Sequence, residues 1–139
     1  MKIFLDANIL VTVLNKEYPL FSFASRIISL HDNKRFSIYT SPFCLAMGFY
    51  FAEKKSGTFA ALKKISLLSS KILIASLGLT EVRQTIANKE ILDFEDGLEY
   101  YAALNTGCEV IITEDIGDFH FAKIKVLSCK QFIELYFPL

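Results

Sequence analysis

Lys2-Ile3-Phe4-Leu5-Asp6-Ala7-Asn8-Ile9-Leu10 is the stretch on which the fold turns. Ile3, Phe4 and Leu5 form a short apolar run rich in strand formers, and Asp6 stops it. Beyond it Ile9, Leu10, Val13 and Leu14 recur on one stripe at helical spacing, which predicts a helix over 7–15. A strand that feeds a helix through an aspartate is how a β-α-β fold begins.

Working outward, Phe23, Ile27 and Leu30 predict an amphipathic helix over 21–30, closed by the polar His31-Asp32-Asn33-Lys34. A second strand is predicted over 36–40. Ser41-Pro42 then suits a helix start, with serine as the cap and proline at the first helical position. That apolar helix runs to Lys55, and Ser56-Gly57 breaks it. A lysine-bearing helix over 58–70, a third strand over 72–74 and a helix over 80–89 follow. The helix over 93–105 should turn Phe94, Leu98, Tyr101 and Ala102 inward and stop at Gly107. A fourth strand over 110–112, a fifth over 125–127 and a helix over 131–136 complete the chain. Strands separated by helices predict an α/β protein, a three-layer α/β/α sandwich around a mostly parallel sheet of five strands. With 139 residues, one domain over 1–139 is expected.

Hydrophobic residues make up 53% of the chain. A membrane span would need about 20 consecutive apolar residues. The longest apolar stretch, 42–52, is shorter and runs into Glu53, Lys54 and Lys55, so a buried helix or a subunit interface is expected there. An acid at position 6 comes too early for the core of a signal peptide, so a cytoplasmic protein with no membrane association is expected. Cys44, Cys108 and Cys129 have no Cys-x-x-Cys spacing, and only His31 and His120 could join them. Zinc is therefore not expected, and the thiols read as small core residues in a reducing compartment.

Formal net charge is +0, which gives no global attraction to nucleic acid. The distribution is more informative. Between 54 and 80 the only charged residues are Lys54, Lys55, Lys63, Lys64 and Lys71. Between 90 and 122 there is no lysine or arginine, but there are Glu90, Asp93, Glu95, Asp96, Glu99, Glu109, Glu114, Asp115 and Asp118.

Open α/β sheets carry their sites at the carboxyl ends of the strands. Asp6 ends the first strand, Asp115 and Asp118 follow the fourth, and Asp96 lies in the first turn of the helix before it. Two like charges about 5 Å apart repel by roughly 3 kcal/mol at an effective dielectric near 20. A group of carboxylates without histidine or thiolate suits Mg²⁺ or Mn²⁺, and such ions serve phosphodiester hydrolysis. Each acid also has a local structural use. Asp6 could cap the helix after it, Asp93 and Asp96 could form a capping-box-like pair, and Asp115 and Asp118 could stabilise turns. Those uses do not explain why all of them fall on one edge.

At these residues the chain resembles the PIN-domain family of nucleases, which includes the VapC-type toxins of bacterial toxin–antitoxin pairs. Phe4-Leu5-Asp6-Ala7-Asn8-Ile9-Leu10 looks like the first motif of that family. Asp93-Phe94-Glu95-Asp96-Gly97-Leu98-Glu99-Tyr100-Tyr101-Ala102-Ala103 is similar to its third, and 107–119 to its last. The resemblance implies an α/β/α sandwich, Mg²⁺ or Mn²⁺, RNA as substrate and an antitoxin protein as partner. It casts Asp6, Asp96, Asp115 and Asp118 as metal-holding catalytic residues, with Asn8, Thr113 and Asp93 in support. Lys54, Lys55, Lys63, Lys64 and Lys71 would contact RNA phosphates.

The chain departs from the family at one place. The family carries a glutamate in the helix after the second strand, whereas 41–50 here contains no acid and Glu53 lies about two turns beyond. Weaker metal affinity and a single bound cation are the expected consequences. An alternative reading is thus a PIN-fold module that binds RNA or protein without cutting. The apolar Phe43, Leu45, Met47, Phe49 and Phe51 would suit a homodimer or antitoxin surface. Phosphatases of the haloacid-dehalogenase type also open with a strand ending in Asp. They need an aspartate where Asn8 stands, a threonine where Leu10 stands and a lysine before the last acids, so that class is set aside.

Overall fold

A computed structural model describes residues 1–139. Its centre is β1 (Lys2–Leu5), in which Ile3, Phe4 and Leu5 have no solvent exposure. An apolar run buried on both faces is what a parallel sheet covered by helices requires. β1 pairs in parallel with β2 (Ser37–Thr40) on one side and with β4 (Val110–Ile112) on the other. β3 (Leu73–Ile74) and β5 (Lys125–Leu127) form the edges, so the order is β3-β2-β1-β4-β5 with every pairing parallel. The chain builds outward from β1 in one direction through β3, then returns to build the other side. The reversal lies between β1 and β4, and there the loops diverge to open a crevice beyond the strand ends. Thr40 fixes the neighbouring strand end by donating its hydroxyl to the Leu5 carbonyl at 2.9 Å.

Seven helices flank the sheet: α1 (Ala7–Leu14), α2 (Leu20–Ile28), α3 (Pro42–Ser56), α4 (Thr58–Ser69), α5 (Leu79–Ala87), α6 (Phe94–Thr106) and α7 (Cys129–Tyr136). Both expected glycine stops are used, Gly57 after α3 and Gly107 after α6, each at φ 87° where an L side chain would be strained. Ser41 caps α3 by accepting from the Cys44 amide at 3.1 Å.

Several boundaries differ from expectation for local reasons. The helix expected over 21–30 ends at Ile28 and tightens into a 3-10 turn over Ser29–Asp32. The last helix begins at Cys129, not at 131, because Gln131 closes a capping box instead of opening the helix. The Ser128 hydroxyl accepts from the Gln131 amide at 3.1 Å, and the Gln131 side chain accepts from the Ser128 amide at 2.9 Å. The apolar α3 is only partly buried. Cys44, Gly48 and Ala52 form its buried stripe, while Tyr50 and Phe51 are exposed. No helix is long and apolar enough to cross a membrane.

The inward face of α6 is also corrected. Its buried residues are Gly97, Glu99, Tyr100, Ala102 and Ala103, whereas Phe94 is exposed and Leu98 and Tyr101 are half-buried. Gly97 accounts for the rotation, because it lets α6 lie against α5 and the loop after it. A Cβ there would stand 2.4 Å from Thr85 Cγ2 and 3.0 Å from two Ile91 carbons. Gly97→Ala is therefore expected to destabilise the protein by about 1–3 kcal/mol through overpacking, despite a gain of up to about 1 kcal/mol in helix propensity. The check is a urea titration: a lower midpoint at unchanged slope is expected, and a raised midpoint would contradict the packing argument.

Candidate functional site

Asp6 is the first residue past β1, only 7% exposed, and its backbone continues the sheet by donating to the Ile112 carbonyl at 3.0 Å. Its side chain has two tasks. Oδ1 accepts from the Ala7 amide at 2.6 Å, so the expected helix-cap role is real. Oδ2 accepts from the Thr113 hydroxyl at 2.7 Å and from Asn8 Nδ2 at 3.3 Å. Thr113, fully buried at the end of β4, accepts in turn from the Asp115 amide at 3.0 Å and from Asn8 Nδ2 at 3.1 Å. The same Asn8 amide group reaches Asp115 Oδ2 at 3.0 Å, while Asn8 Oδ1 accepts from the Glu114 amide at 3.4 Å. Asn8 and Thr113 thus lock together the chain ends that leave β1 and β4. Glu114 faces elsewhere, its carboxylate accepting from the Cys129 amide at the start of α7 at 2.9 Å.

Asp96 enters from the first turn of α6. Asp93 caps that helix by accepting from the Glu95 amide at 2.9 Å, but Asp96 makes no hydrogen bond back to it, so the capping-box use is not realised. Burial, and then the charges of Asp93, Asp118, Asp6 and Glu95, push the Asp96 carboxyl up to about 7. Asp96, Asp93, Gly117, Asp118 and His120 line a cleft of about 170 Å³. Asp118 stands in the 3-10 turn over Ile116–Phe119, held by its backbone amide on the Asp115 carbonyl at 3.0 Å. The side chains of Asp115 and Asp118 are exposed and make no turn with their own backbone. Asp96 and Asp118 share that cleft and Asp115 is tied to Asp6 through Asn8, but the four do not gather their ligand atoms as closely as Asp6, Cys44 and Glu99 do; no lysine, arginine or histidine forms an ion pair with any of them.

Glu99 was not singled out from the sequence, yet it is the most deeply buried acid here, 3% exposed and one turn after Asp96 on α6. Burial first, and then the Asp6 carboxylate beside it, push Glu99 up to about 11, and the Asp96 charge adds to this while Cys44 opposes it. One ligand atom each from Asp6, Cys44 and Glu99 lie within 4.8 Å of one another. The i, i+3 spacing of Asp96 and Glu99 was the signal available in the sequence, since it puts both on one helical face. All three cysteines are buried and free. Cys108 and Cys129 are pushed up to about 12, mainly by burial, as inert core thiols are. Burial and then the Glu99 and Asp6 charges hold Cys44 well above the ordinary thiol range.

The lysines do not line the acidic cleft. Lys55 donates to the Asn15 carbonyl at 2.6 Å, which satisfies the far end of α1 and gives that ammonium a structural task. Lys64 donates to Ser56 at 3.1 Å, and with Lys71 it borders a separate groove between α1, α2 and α4. Lys54 and Lys63 are exposed, each over an aromatic ring of its own helix, Tyr50 at 5.6 Å and Phe59 at 5.7 Å.

The description "PIN domain" belongs to the family model that matches residues 2–117, which span Asp6, Asp96 and Asp115 and stop one position short of Asp118. A curated relative, Ribonuclease VapC1 of Aquifex aeolicus, is 26% identical over 137 residues, covering 96% of this chain and 94% of that protein. Among solved structures, VapBC-1 from nontypeable Haemophilus influenzae is similar with a TM-score of 0.71 at 17% identity, over 94% of this chain and 99% of that one. VapBC2 from Rickettsia felis, bound to a DNA fragment from its promoter, gives 0.68 at 21% identity over 92% and 98%. Mycobacterium tuberculosis VapC20, a sarcin-ricin loop cleaving toxin, gives 0.67 at 20% identity over 88% and 95%. The parallel sheet, the aspartates at its carboxyl edge and a family match across most of the sequence place this chain in the PIN-domain family.

Proposed function

We propose that this protein is a Mg²⁺- or Mn²⁺-dependent endoribonuclease, the toxin of a toxin–antitoxin pair, with Asp6, Asp96, Asp115 and Asp118 as its metal-holding residues. The observation that carries the reading is four aspartates from distant parts of the chain at one strand edge with no cationic side chain paired to them. The donor set fits a hard ion. It consists of carboxylate oxygens, several of them free of hydrogen bonds within the protein. Such an ion, when bound, polarises the phosphodiester and acidifies the attacking water.

The chain's own residues do the rest. Asn8 and Thr113 hold Asp6 and Asp115 in fixed orientation, as outer partners of a metal site do. Asp93 caps α6 and so fixes the turn that carries Asp96. RNA is the proposed substrate because the curated relative is a ribonuclease. Lys54 and Lys63, whose ammonium groups make no hydrogen bond within the protein, are its proposed phosphate contacts. The VapBC neighbours support an antitoxin partner. The exposed Tyr50 and Phe51 on α3 and Phe59 and Leu62 on α4 offer apolar surface for it or for a second copy of the chain. The proposed setting is the cytoplasm.

Two outcomes are expected. With Mn²⁺ and a defined RNA, Asn8→Ala should cut cleavage about 10- to 100-fold, the usual effect of losing an outer partner, and Asp6→Asn should cut it further. Cleavage by Asp6→Asn equal to that of the wild type would reject the nuclease assignment. The second outcome concerns pH. The folded-state value of Asp96 lies above its ordinary 3.8, so its stabilising contribution is complete at low pH and is lost as pH rises towards about 7. Metal-free protein should therefore lose stability over that window in chemical denaturation, and Asp96→Asn should reduce the slope there, the raised Glu99 carboxyl supplying what remains.

A further inference from the structure

Resting on the metal-dependent reading above, we infer that Glu99 is a metal-ligating carboxylate of this protein, delivered from α6 to make up for the acid that the first turns of α3 lack. The first turn of α3 faces Asp6, and there the chain presents Cys44, fully buried. Glu99 comes in from the other side and brings an oxygen within 4.8 Å of ligand atoms on both Asp6 and Cys44.

The second observation is independent of that clustering. Glu99 Oε2 is buried and has no hydrogen-bond partner. An unpartnered buried polar oxygen is costly and rarely retained without a use. Glu81 shows how this protein treats a structural acid, being also buried, at 7% exposed. Both of its oxygens are engaged, Oε1 by the Gly78 amide at 2.7 Å and Oε2 by Asn105 at 2.7 Å. Glu99 has no amide donors of that kind, only the Cys44 thiol and the Asp6 carboxyl beside it. Its charged neighbours are Asp6 and Asp96, both acids, so a cation is the group that would let all three ionise together. A divalent cation bound between Glu99, Asp6 and Asp96 meets that requirement, with the Cys44 sulfur adjoining.

The test is Mn²⁺ binding to the full chain, followed by electron paramagnetic resonance of the free ion, for wild type, Glu99→Gln and Asp6→Asn. Glutamine keeps the shape and a donor for Asp6, so a merely structural Glu99 should tolerate it. The expected result is Mn²⁺ affinity weakened at least about 10-fold by Glu99→Gln, with the melting temperature of the metal-free protein not lowered. Wild-type affinity in Glu99→Gln alongside lost affinity in Asp6→Asn overturns the role of Glu99 and leaves the nuclease reading standing. Wild-type affinity in both overturns both. Should Glu99→Gln fail to fold, anomalous scattering from Mn²⁺ soaked into wild-type crystals decides. A peak at ligand distance from Glu99 supports the inference, and a peak held by the aspartates with Glu99 out of reach overturns it.

Discussion

The hydrogen bond from the Thr113 hydroxyl to Asp6 joins the ends of the two strands between which the sheet order reverses. Its position is forced. At a reversal the chain ends diverge, and past the bond from the Asp6 amide to the Ile112 carbonyl nothing in the ladder of the sheet holds them together. A side-chain link must take over. Thr113 provides it with one small hydroxyl that donates to Asp6 and accepts from Asn8 and Asp115. With all its hydrogen-bonding capacity spent inside a buried site, it leaves the carboxylates little freedom to move away from one another.

That constraint divides the acids into two kinds. Asp6 and Asp115 are held by hydrogen-bond donors of the chain itself. Asp96 and Glu99 stand on α6 among like charges, and both are pushed upward, burial being the larger cause for each. The helix dipole does not remove this asymmetry. Asp96 lies in the first turn of α6, where the amino-terminal field favours an anion, yet it is still raised. One side of the crevice is thus tied down by donors within the chain, and the other carries acids raised by burial and by one another.

How legible this was in the sequence depends on the range of the interaction. β1, the cap at Ser41 and the stops at Gly57 and Gly107 were readable because each is fixed within a few residues. That Asp6 and Asp115 would leave neighbouring strands at one edge was readable because strand ends in a parallel sheet converge by topology. The inward face of α6 was misread because apolar spacing pointed to Leu98 and Tyr101, while the packing was decided by what Gly97 permits against Thr85 and Ile91. Glu99 was hidden by the same error, since a helix read with the wrong phase puts its acid in solvent. The lysines of α3 and α4 read as one basic tract, but Lys55 and Lys64 have partners that only the tertiary fold supplies.

The lack of an acid in the first turns of α3 and the glycine on α6 are parts of one packing solution. Cys44, Gly48 and Ala52 make the buried stripe of α3 narrow, and Gly48 already stands so close to α1 that a Cβ would lie 3.0 Å from Leu14 Cδ1. A helix seated that closely leaves room for a small side chain at its first turn, and Cys44 fills it. On the other side Gly97, between Asp96 and Glu99, brings α6 against α5. Both acids sit within two residues of that close approach, so widening it would displace Asp96 and Glu99 together. The long carboxylate therefore stands on the helix that a glycine positions, and the short thiol on the helix whose buried stripe is made of small residues.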